Sequence, residues 1–524
     1  MKPRLSLFAT LLMLGGCTVG PRYKGPPATA PVAKAFVRAG DAPVRAGPTV
    51  ARWWTALGDP LLDTLEQRAL AANPDLAAAA ARLGQARATL RQERANLLPA
   101  ASISALYAHA HIPGLSFGQP ISNTAGAGTG TSADGAGSAA TGGDAAAAGG
   151  SSGDLNIYNL GFQSSWEIDL FGGQRRTIEA ARANAEAAEA RLADVQVSLT
   201  AEIAQAYVDL RDRQRRLALA GRAVAMQEHM VALTRERLAR GTASRLDVDR
   251  LTLQLERSRA DAIPLDAERE ALLDELATLA GAEPGALDGM LAPERPVPLP
   301  PAAVAIGDPA ELLRRRPDIR AAERTLAADT ARIGEAEAAR LPAIKIMGII
   351  GIGGAHPSDL TNLDDFTTLL APQLSWSLFD FGRGLARLRG ARAVRDEAEA
   401  KYRSTVLAAL RDAEDSLSRF RYRRLAVATL ARAKASADAA TSLSRQRYAA
   451  GTSTLIDLLD IERQQLAAEQ ALSQAEAALT GDFVGIQKAL GLGWTQASPR
   501  ADTIAAPIPA DSAGNEAATQ PSSK

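Results

Sequence analysis

The sequence predicts a mixed, mainly α fold that is internally duplicated, with long coiled-coil-like helical hairpins joined to strands of membrane-spanning type. Three observations predict it. The stretch "RLARGTASRLD" from Arg237 returns as "RYAAGTSTLID" from Arg447, sharing Arg237/Arg447, Ala239/Ala449, Gly241/Gly451, Thr242/Thr452 and Asp247/Asp457. Residues 175–240 and 385–450 contain no Pro and one Gly each, Gly221 and Gly390. At 1.5 Å per residue each would make a helix roughly 100 Å long, a length that calls for coiled-coil packing. Four segments alternate apolar and polar residues with the period of two that strands require.

The repeated turn is one part of a duplication along the whole chain. "NPDLAAAAARLGQARATLRQERANLLPA" near Asn73 matches "RPDIRAAERTLAADTARIGEAEAARLPA" near Arg316, at an offset of about 243. "SWEIDLFGG" at Ser165 matches "SWSLFDFGR" at Ser375, at about 210. The offset falls because the first copy holds a Gly/Ala/Ser-rich insert of roughly thirty residues from Thr124, expected as a flexible loop. Each copy therefore reads as a helix ending at Leu-Pro-Ala, two strands, a very long helix, a turn and a second long helix. Gly241 and Gly451 stand where a helix C-cap favours Gly. Thr242, Ser244, Thr452 and Thr454 can cap the helix that follows. The repeated stretch is the tip of an antiparallel hairpin.

The strands set the compartment. From Asn156, one face carries Tyr158, Leu160, Phe162, Ser164, Trp166, Ile168 and Leu170; the other carries Asn159, Gly161, Gln163, Ser165, Glu167 and Asp169. From Leu370, Leu370, Pro372, Leu374, Trp376 and Leu378 share a face. Ile344, Ile346, Ile350 and Ile352 share another, and Ile103, Ala105 and Tyr107 a fourth. A half-buried soluble sheet also alternates. Segments of about ten residues and the concentration of roughly ten of the 22 aromatics beside them favour a membrane sheet with interfacial aromatics. Four strands cannot close a barrel, and an open edge in lipid is forbidden, so several chains must contribute to one barrel.

The N-terminus supports export. Lys2 and Arg4 precede an apolar run from Leu5 to Leu14, too short to span a bilayer. The sole Cys, Cys17, follows "LGG", similar to a bacterial lipoprotein cleavage box, with Thr18 rather than Asp next. No later segment offers about eighteen uninterrupted apolar residues. The 59 basic and 59 acidic side chains balance, which argues against a nucleic-acid partner.

With the "CTVGPRY" start, the "WEIDLFGG" and "WSLFDFGR" junctions and the paired turns, the chain resembles the outer membrane efflux proteins over about residues 50–495. These are TolC-like channels, and the likeness is to their lipidated OprM-like and NodT-like branch. The resemblance implies a homotrimer with a twelve-stranded barrel in outer-membrane lipid and a periplasmic α-barrel of twelve long helices. Its partners would be a periplasmic adaptor (membrane fusion protein) and an inner-membrane pump of RND type. The function implied is a passive exit duct for small toxic compounds or drugs, anchored by lipid at Cys17. Asp457, Asp460 and Arg463 match periplasmic gate positions; Tyr448 and Asp247 match residues that tie neighbouring hairpins. Ser453 departs from a family position that can hold Arg. Gly241, Thr242, Gly451 and Thr452 would form the hairpin tips at the tunnel mouth. Tyr158, Phe162, Trp166 and Trp376 would lie at the membrane interface.

The expected organisation is a signal peptide at 1–16, a lipidated extended segment at 17–59, repeats at 60–291 and 308–495, a Pro-rich connector at 292–307 and a disordered tail at 496–524. Other features carry no chemistry. His109 and His111 share a strand face but lack further metal ligands. "GIIGIGG" near Gly348 lacks the Lys-Ser/Thr of a phosphate loop. No nucleophile, base and orienting acid fall in recognisable order, so no enzyme and no cofactor is expected. Two rival readings stay open. One is the channel of a one-step protein secretion system; the other is a periplasmic adaptor lipoprotein, which would show one hairpin flanked by small β domains.

Overall fold

The computed structural model describes residues 18–27, 35–38, 44–46, 50–111, 154–361, 364 and 366–494. Cys17, the insert from Thr124 to Gly153 and the tail at 496–524 lie outside the described residues.

The elements run β1 (Val44–Ala46), α1 (Pro60–Ala72), α2 (Pro74–Ala95), β2 (Ala100–His111), β3 (Asp154–Ile168), α3 (Gly173–Ala239) and α4 (Arg245–Leu279). After them come α5 (Asp288–Leu291), β4 (Val304–Ile306), α6 (Pro309–Arg315), α7 (Pro317–Ala338), β5 (Ala343–Gly354), β6 (Phe366–Ser375), α8 (Arg383–Ala449) and α9 (Leu455–Ala489). The duplication is visible in lengths: α3 and α8 each have 67 residues, α4 and α9 each 35, α2 and α7 each 22. Local chemistry starts these helices. Asn73 accepts from Leu76 N at 3.0 Å ahead of Pro74, and Asp59 accepts from Leu61 N at 2.9 Å ahead of Pro60. A capping side chain followed by Pro at the first helical position satisfies one free amide and removes another.

The long helices α3 and α8 run through both halves of the molecule. Toward the sheet, α3 packs between α2 and α7, with Arg324 Nη1 donating to Glu186 Oε2 at 3.2 Å. Toward the tips it packs between α4 and α9, with Arg215 Nη2 donating to Glu469 Oε1 at 2.5 Å. Helix α8 lies against α7 in the first half and α9 in the second. Each half is thus a four-helix sheet whose outer helices each have one side without a neighbouring helix among the described residues.

The main core forms a belt between the halves. Trp53, Trp54, Leu62, Leu65, Ile203, Tyr207, Leu210, Phe420, Phe483 and Ile486 bury there with the short parallel pair β1–β4 alongside. Tyr207 donates to Asp59, and burial together with that bond pushes its hydroxyl up to about 12. The segment before the belt is strapped on: Phe36 is buried, and the amides of Val37 and Arg38 both donate to Glu414 at 2.8 Å.

The second sheet has order β2-β3-β5-β6, antiparallel throughout. Its register places Tyr107 opposite Tyr158, Phe162 opposite Ile350 and Ile344 opposite Leu374, so these three apolar rows lie on one face. The opposite face is mixed: Gln163 donates to Ser104 at 3.1 Å and Lys345 pairs with Glu167 at 3.2 Å, beside Leu106, Met347, Ile349 and Leu369. Strand β6 ends at Ser375 and β3 at Ile168, so Trp376, Leu378 and Leu170 fall beyond the ladders. The alternation outruns the second ladder because Asp380 takes the amides of Gly382 and Gly384 at 2.9 and 2.6 Å, turning the chain toward α8. Among the described residues, no helix is long and apolar enough to cross a membrane.

One buried group strains the belt. Glu66 of α1 is fully buried, and neither carboxyl oxygen has a hydrogen-bond partner among the described residues. Burial first, and the charge of Asp63 second, push this carboxyl well above the usual range. The ionisation of a raised acid costs nothing below its unfolded value and costs increasingly as pH rises from there toward the folded value. Glu66→Leu is therefore expected to stabilise the protein by about 1–3 kcal/mol near pH 7, the penalty of an unsatisfied buried polar group. The gain should shrink toward pH 4, where the carboxyl is neutral folded and unfolded and only its missing hydrogen bonds still cost, as thermal melts across that range would show.

Candidate functional site

The two hairpin tips are built alike. In the first, Gly241 N donates to Leu238 O at 2.9 Å and Thr242 N to Arg237 O at 2.8 Å. In the second, Gly451 N donates to Tyr448 O at 3.0 Å and Thr452 N to Arg447 O at 2.9 Å. This paired closure of a helix end needs a left-handed residue, and Gly241 and Gly451 adopt φ of 74° and 69°. Each next helix opens on a reciprocal cap. Ser244 Oγ accepts from Asp247 N at 3.2 Å, and Asp247 accepts from Ser244 N at 3.0 Å. Thr454 Oγ1 accepts from Asp457 N at 3.2 Å, and Asp457 accepts from Thr454 N at 3.1 Å. The shared Gly, Thr and Asp of the sequence repeat are therefore what reverses the chain and restarts the helix.

The acids near the second tip differ in their local work. Asp457 is held below the usual carboxylate range by the Thr454 hydroxyl and then the Thr454 amide. Asp247 is held down by Ser244 in the same way. Asp460 is lowered chiefly by the Arg463 guanidinium at 2.8 Å, and it also accepts from Gln464 at 2.8 Å. Asp460 and Arg463 line a groove of about 690 Å³ between the α3–α4 hairpin and α9, with Met226, Met230, Leu459 and Leu466 beside them. Tyr448, one turn before the tip, keeps an exposed ring. Ser453 Oγ is buried with no partner among the described residues.

On the sheet, Tyr158, Phe162 and Trp166 all point from the apolar face. That face is uncovered: Ile103 is 79% exposed, Leu370 75% and Leu374 66%. Trp166 and Trp376 fill equivalent posts in the two repeats. The indole of Trp166 donates to Leu97 O at 2.9 Å and that of Trp376 to Arg340 O at 3.1 Å, each joining a strand end to the close of the preceding helix. His109 Nδ1 lies 2.8 Å from Asn156 Oδ1, and no cluster of metal-ligating side chains occurs among the described residues.

Sequence reasoning missed the seat of the N-terminal segment. Arg176, almost fully buried, donates to Val19 O at 3.1 Å and Gly20 O at 3.0 Å, while Val19 N donates to Phe171 O at 3.1 Å. Gly20, at φ 88°, lies so close to Gly334 that a Cβ would meet its Cα at 2.4 Å. The only signal was the "GGQRR" run, which reads as an ordinary helix start.

The family model for "Outer membrane efflux protein" matches residues 65–282 and 309–492, one stretch for each repeat. The chain belongs to the outer membrane efflux protein family. It is 30% identical to Nodulation protein T of Rhizobium leguminosarum bv. trifolii over 92% of its own length and 96% of that protein's. It is also 30% identical to the pyoverdine export outer membrane protein OpmQ of Pseudomonas aeruginosa, over 94% and 97%. Among solved structures, the outer-membrane channel OprN aligns with TM-score 0.77 and 35% identity, covering 91% of this chain and 99% of that one. As a member of this efflux family it is an outer-membrane protein of TolC-like fold, with a large helical portion on the periplasmic side.

The caps give a direct test of the tips. Thr454→Ala is expected to cost about 1 kcal/mol of local helix stability, the usual loss for an N-cap. Faster amide exchange confined to the start of α9 would show it. The lowered Asp247 and Asp457 contribute above the ordinary Asp range and lose that contribution as pH falls through their folded values. Both tips should therefore loosen only in strong acid, where proteolysis at 240–245 and 450–455 would rise together.

Proposed function

We propose that three copies of this efflux protein form the outer-membrane exit duct of a tripartite system. The duct passively conducts small toxic compounds or drugs received from a periplasmic adaptor and an inner-membrane pump of RND type. The observation that carries this is the open, four-stranded sheet with an uncovered apolar face, set on 67-residue helices roughly 100 Å long. Such a sheet has no stable place in lipid until its edges are paired, and three copies supply twelve strands. The export role in the name of OpmQ supports a small molecule as cargo. A chain with two equivalent hairpins and no flanking β domains among its described residues disfavours the adaptor reading. Deleting the protein should sensitise cells to hydrophobic toxicants, and purified outer membranes should yield a heat-labile trimer. A monomer in those membranes would refute the assembly.

Cys17 is proposed as the lipid attachment point. Support comes from Arg176, which pins Val19 and Gly20 beside the end of β3, two residues beyond Cys17. One acyl chain anchors only marginally, on the order of 10⁴ M⁻¹, so the barrel supplies most of the membrane affinity. Cys17→Ser should abolish labelling by a fatty-acid analogue while leaving the protein in the outer membrane; label that persists rejects the site.

The second-repeat tip is proposed as the periplasmic gate, with Asp457, Asp460 and Arg463 near the threefold axis and Tyr448 and Asp247 tying neighbouring hairpins. Three copies of each acid make a ring that favours cations. Because Asp457 also caps α9, Asp460→Asn isolates the charge from the fold. It should raise single-channel conductance in planar bilayers and weaken block by multivalent cations. Asp247→Asn should change cation block less. Unchanged conductance and block in an assembled Asp460→Asn trimer would reject the gate.

A further inference from the structure

We infer that the groove at the second strand-to-helix junction binds organic anions of aromatic type, a carboxylate carried on a flat ring system. This deepens the proposed duct, on which it rests, by naming a class of cargo.

The two repeats build corresponding grooves of opposite charge. The first, between the ends of α2 and α7 and the start of α3, carries Glu167, Asp169 and Glu335 against Lys345. The second, of about 920 Å³, lies between the end of α7, the chain beyond β6 and the start of α8. It carries Arg332, Arg340, Arg383 and Arg387 against Glu335 and Asp380. The excess belongs to this repeat alone: the counterparts of Arg340, Arg383 and Arg387 are Leu97, Gly173 and Thr177.

The acids at hand do not neutralise these cations. Asp380 is engaged by the amides of Gly382 and Gly384, at 2.9 and 2.6 Å. Arg332 is held by Asp329. Among the described residues, Arg340, Arg383 and Arg387 form no ion pair. Arg383 and Arg387 stand one turn apart on one face of α8, where like charges repel. Arg340 reaches them from the other side of the groove. Its stem lies so near α8 that a Cβ on Gly384 would meet Arg340 Cγ at 3.1 Å. The fold thus gathers three unpaired guanidinium groups from two elements, and an oxyanion relieves their repulsion. The planar fork of each matches a carboxylate.

Apolar surface lies beside the charge. The indole of Trp376 donates to Arg340 O at 3.1 Å, which sets its ring next to that arginine. Leu378 and Phe379 are exposed along the same groove. The volume suits a drug-sized molecule. A flat body can lie on these side chains while its anionic group meets the arginines.

The side on which the groove opens separates a water-borne ligand from a lipid headgroup. Glu335 and Ala339 line both grooves. The first groove is also lined by Ser165, Glu167 and Lys345, which belong to the mixed face of the sheet. The N-terminal segment lies on another side of α7, with Gly20 against Gly334. The second groove therefore opens with the mixed face, away from the uncovered apolar one. Exposed cations also hold a ligand weakly enough to release it, as a conduit requires.

Calorimetric titration of the full-length, detergent-solubilised trimer with naphthoate and its neutral isostere naphthamide tests the site. Naphthoate should bind about tenfold more tightly, the worth of one charge-assisted hydrogen bond. Arg340→Gln with Arg387→Gln should abolish that preference and keep the trimer in native sizing. Arg389→Gln, exposed on α8 outside the groove, should preserve the preference. Equal binding of acid and amide by the unaltered trimer overturns the inference without any variant; so does a preference that survives the double change. Displacement of naphthoate by phosphatidylglycerol would give the groove to a lipid headgroup and overturn it as well. In cells, the double variant should lose resistance to aromatic carboxylates and keep resistance to neutral hydrophobic toxicants. Loss of both, or of neither, overturns the cargo class and leaves the duct standing. The duct itself falls on a different result, a complete deletion that changes sensitivity to no toxicant.

Discussion

Backbone groups at a sheet edge have only two good fates, another strand or water. In this protein an antiparallel sheet carries its aromatic and most of its branched apolar side chains on one uncovered face, so the environment that suits the side chains is one in which the edges cannot be left open. The rest of the architecture follows from that conflict. The strands must be carried by something rigid that holds them in a curved array. The 67-residue helices α3 and α8 do this, and the indoles of Trp166 and Trp376 tie each strand end to the helix that leads into the sheet. The mixed face, with its Lys345–Glu167 pair and Gln163–Ser104 bond, is then the side that can line water.

A long helix is not stable through propensity alone; it needs neighbours along its whole length. The chain provides them in two tiers. In the tier near the sheet α3 and α8 pack on α2 and α7, and in the tier near the tips on α4 and α9. Between the tiers the packing changes from Ala-rich seams to the aromatic belt around Trp53, Tyr207, Phe420 and Phe483. Alanine keeps the upper helices close, and the larger belt residues lock the change of partners. The strap from Phe36 to Arg38, held by Glu414, adds a crossing contact that neither repeat could make alone.

Much of this was legible in the sequence. The duplication, the helix lengths and the alternating rows are periodic signals, and periodicity survives tertiary folding because it is what the packing selects. The tips were legible for the same reason: Gly at a left-handed position and Ser or Thr three residues before Asp are local rules. The strand ends were less so, since alternation continues through Trp376 and Leu378 after the ladder has stopped at Ser375. The seat of Arg176 was not legible at all. A buried guanidinium that binds two carbonyls 156 and 157 residues away has no local signature, nor does a buried Glu66 without a hydrogen-bond partner among the described residues, on a helix whose other faces look ordinary.

Duplication supplies a symmetric scaffold, so information specific to one copy must sit where the copies differ. Arg176 has Ala386 as its counterpart, which is why the N-terminal segment can dock at the first junction and not the second. The carbonyl of Phe171 is taken by Val19, whereas the matching Phe381 is 97% exposed and holds a left-handed φ of 51°. At the tips, Ala243 of the first repeat becomes Ser453 of the second, with a buried hydroxyl that nothing among the described residues satisfies. Asp249 and Arg250 of α4 become Leu459 and Asp460 of α9, so the acid moves by one position and comes to face the groove between the hairpins. A helix turns about 100° per residue, so a shift of one position carries a charge from one face to another without altering the fold. The two hairpins can thus share one construction and still present different chemistry to the space they enclose.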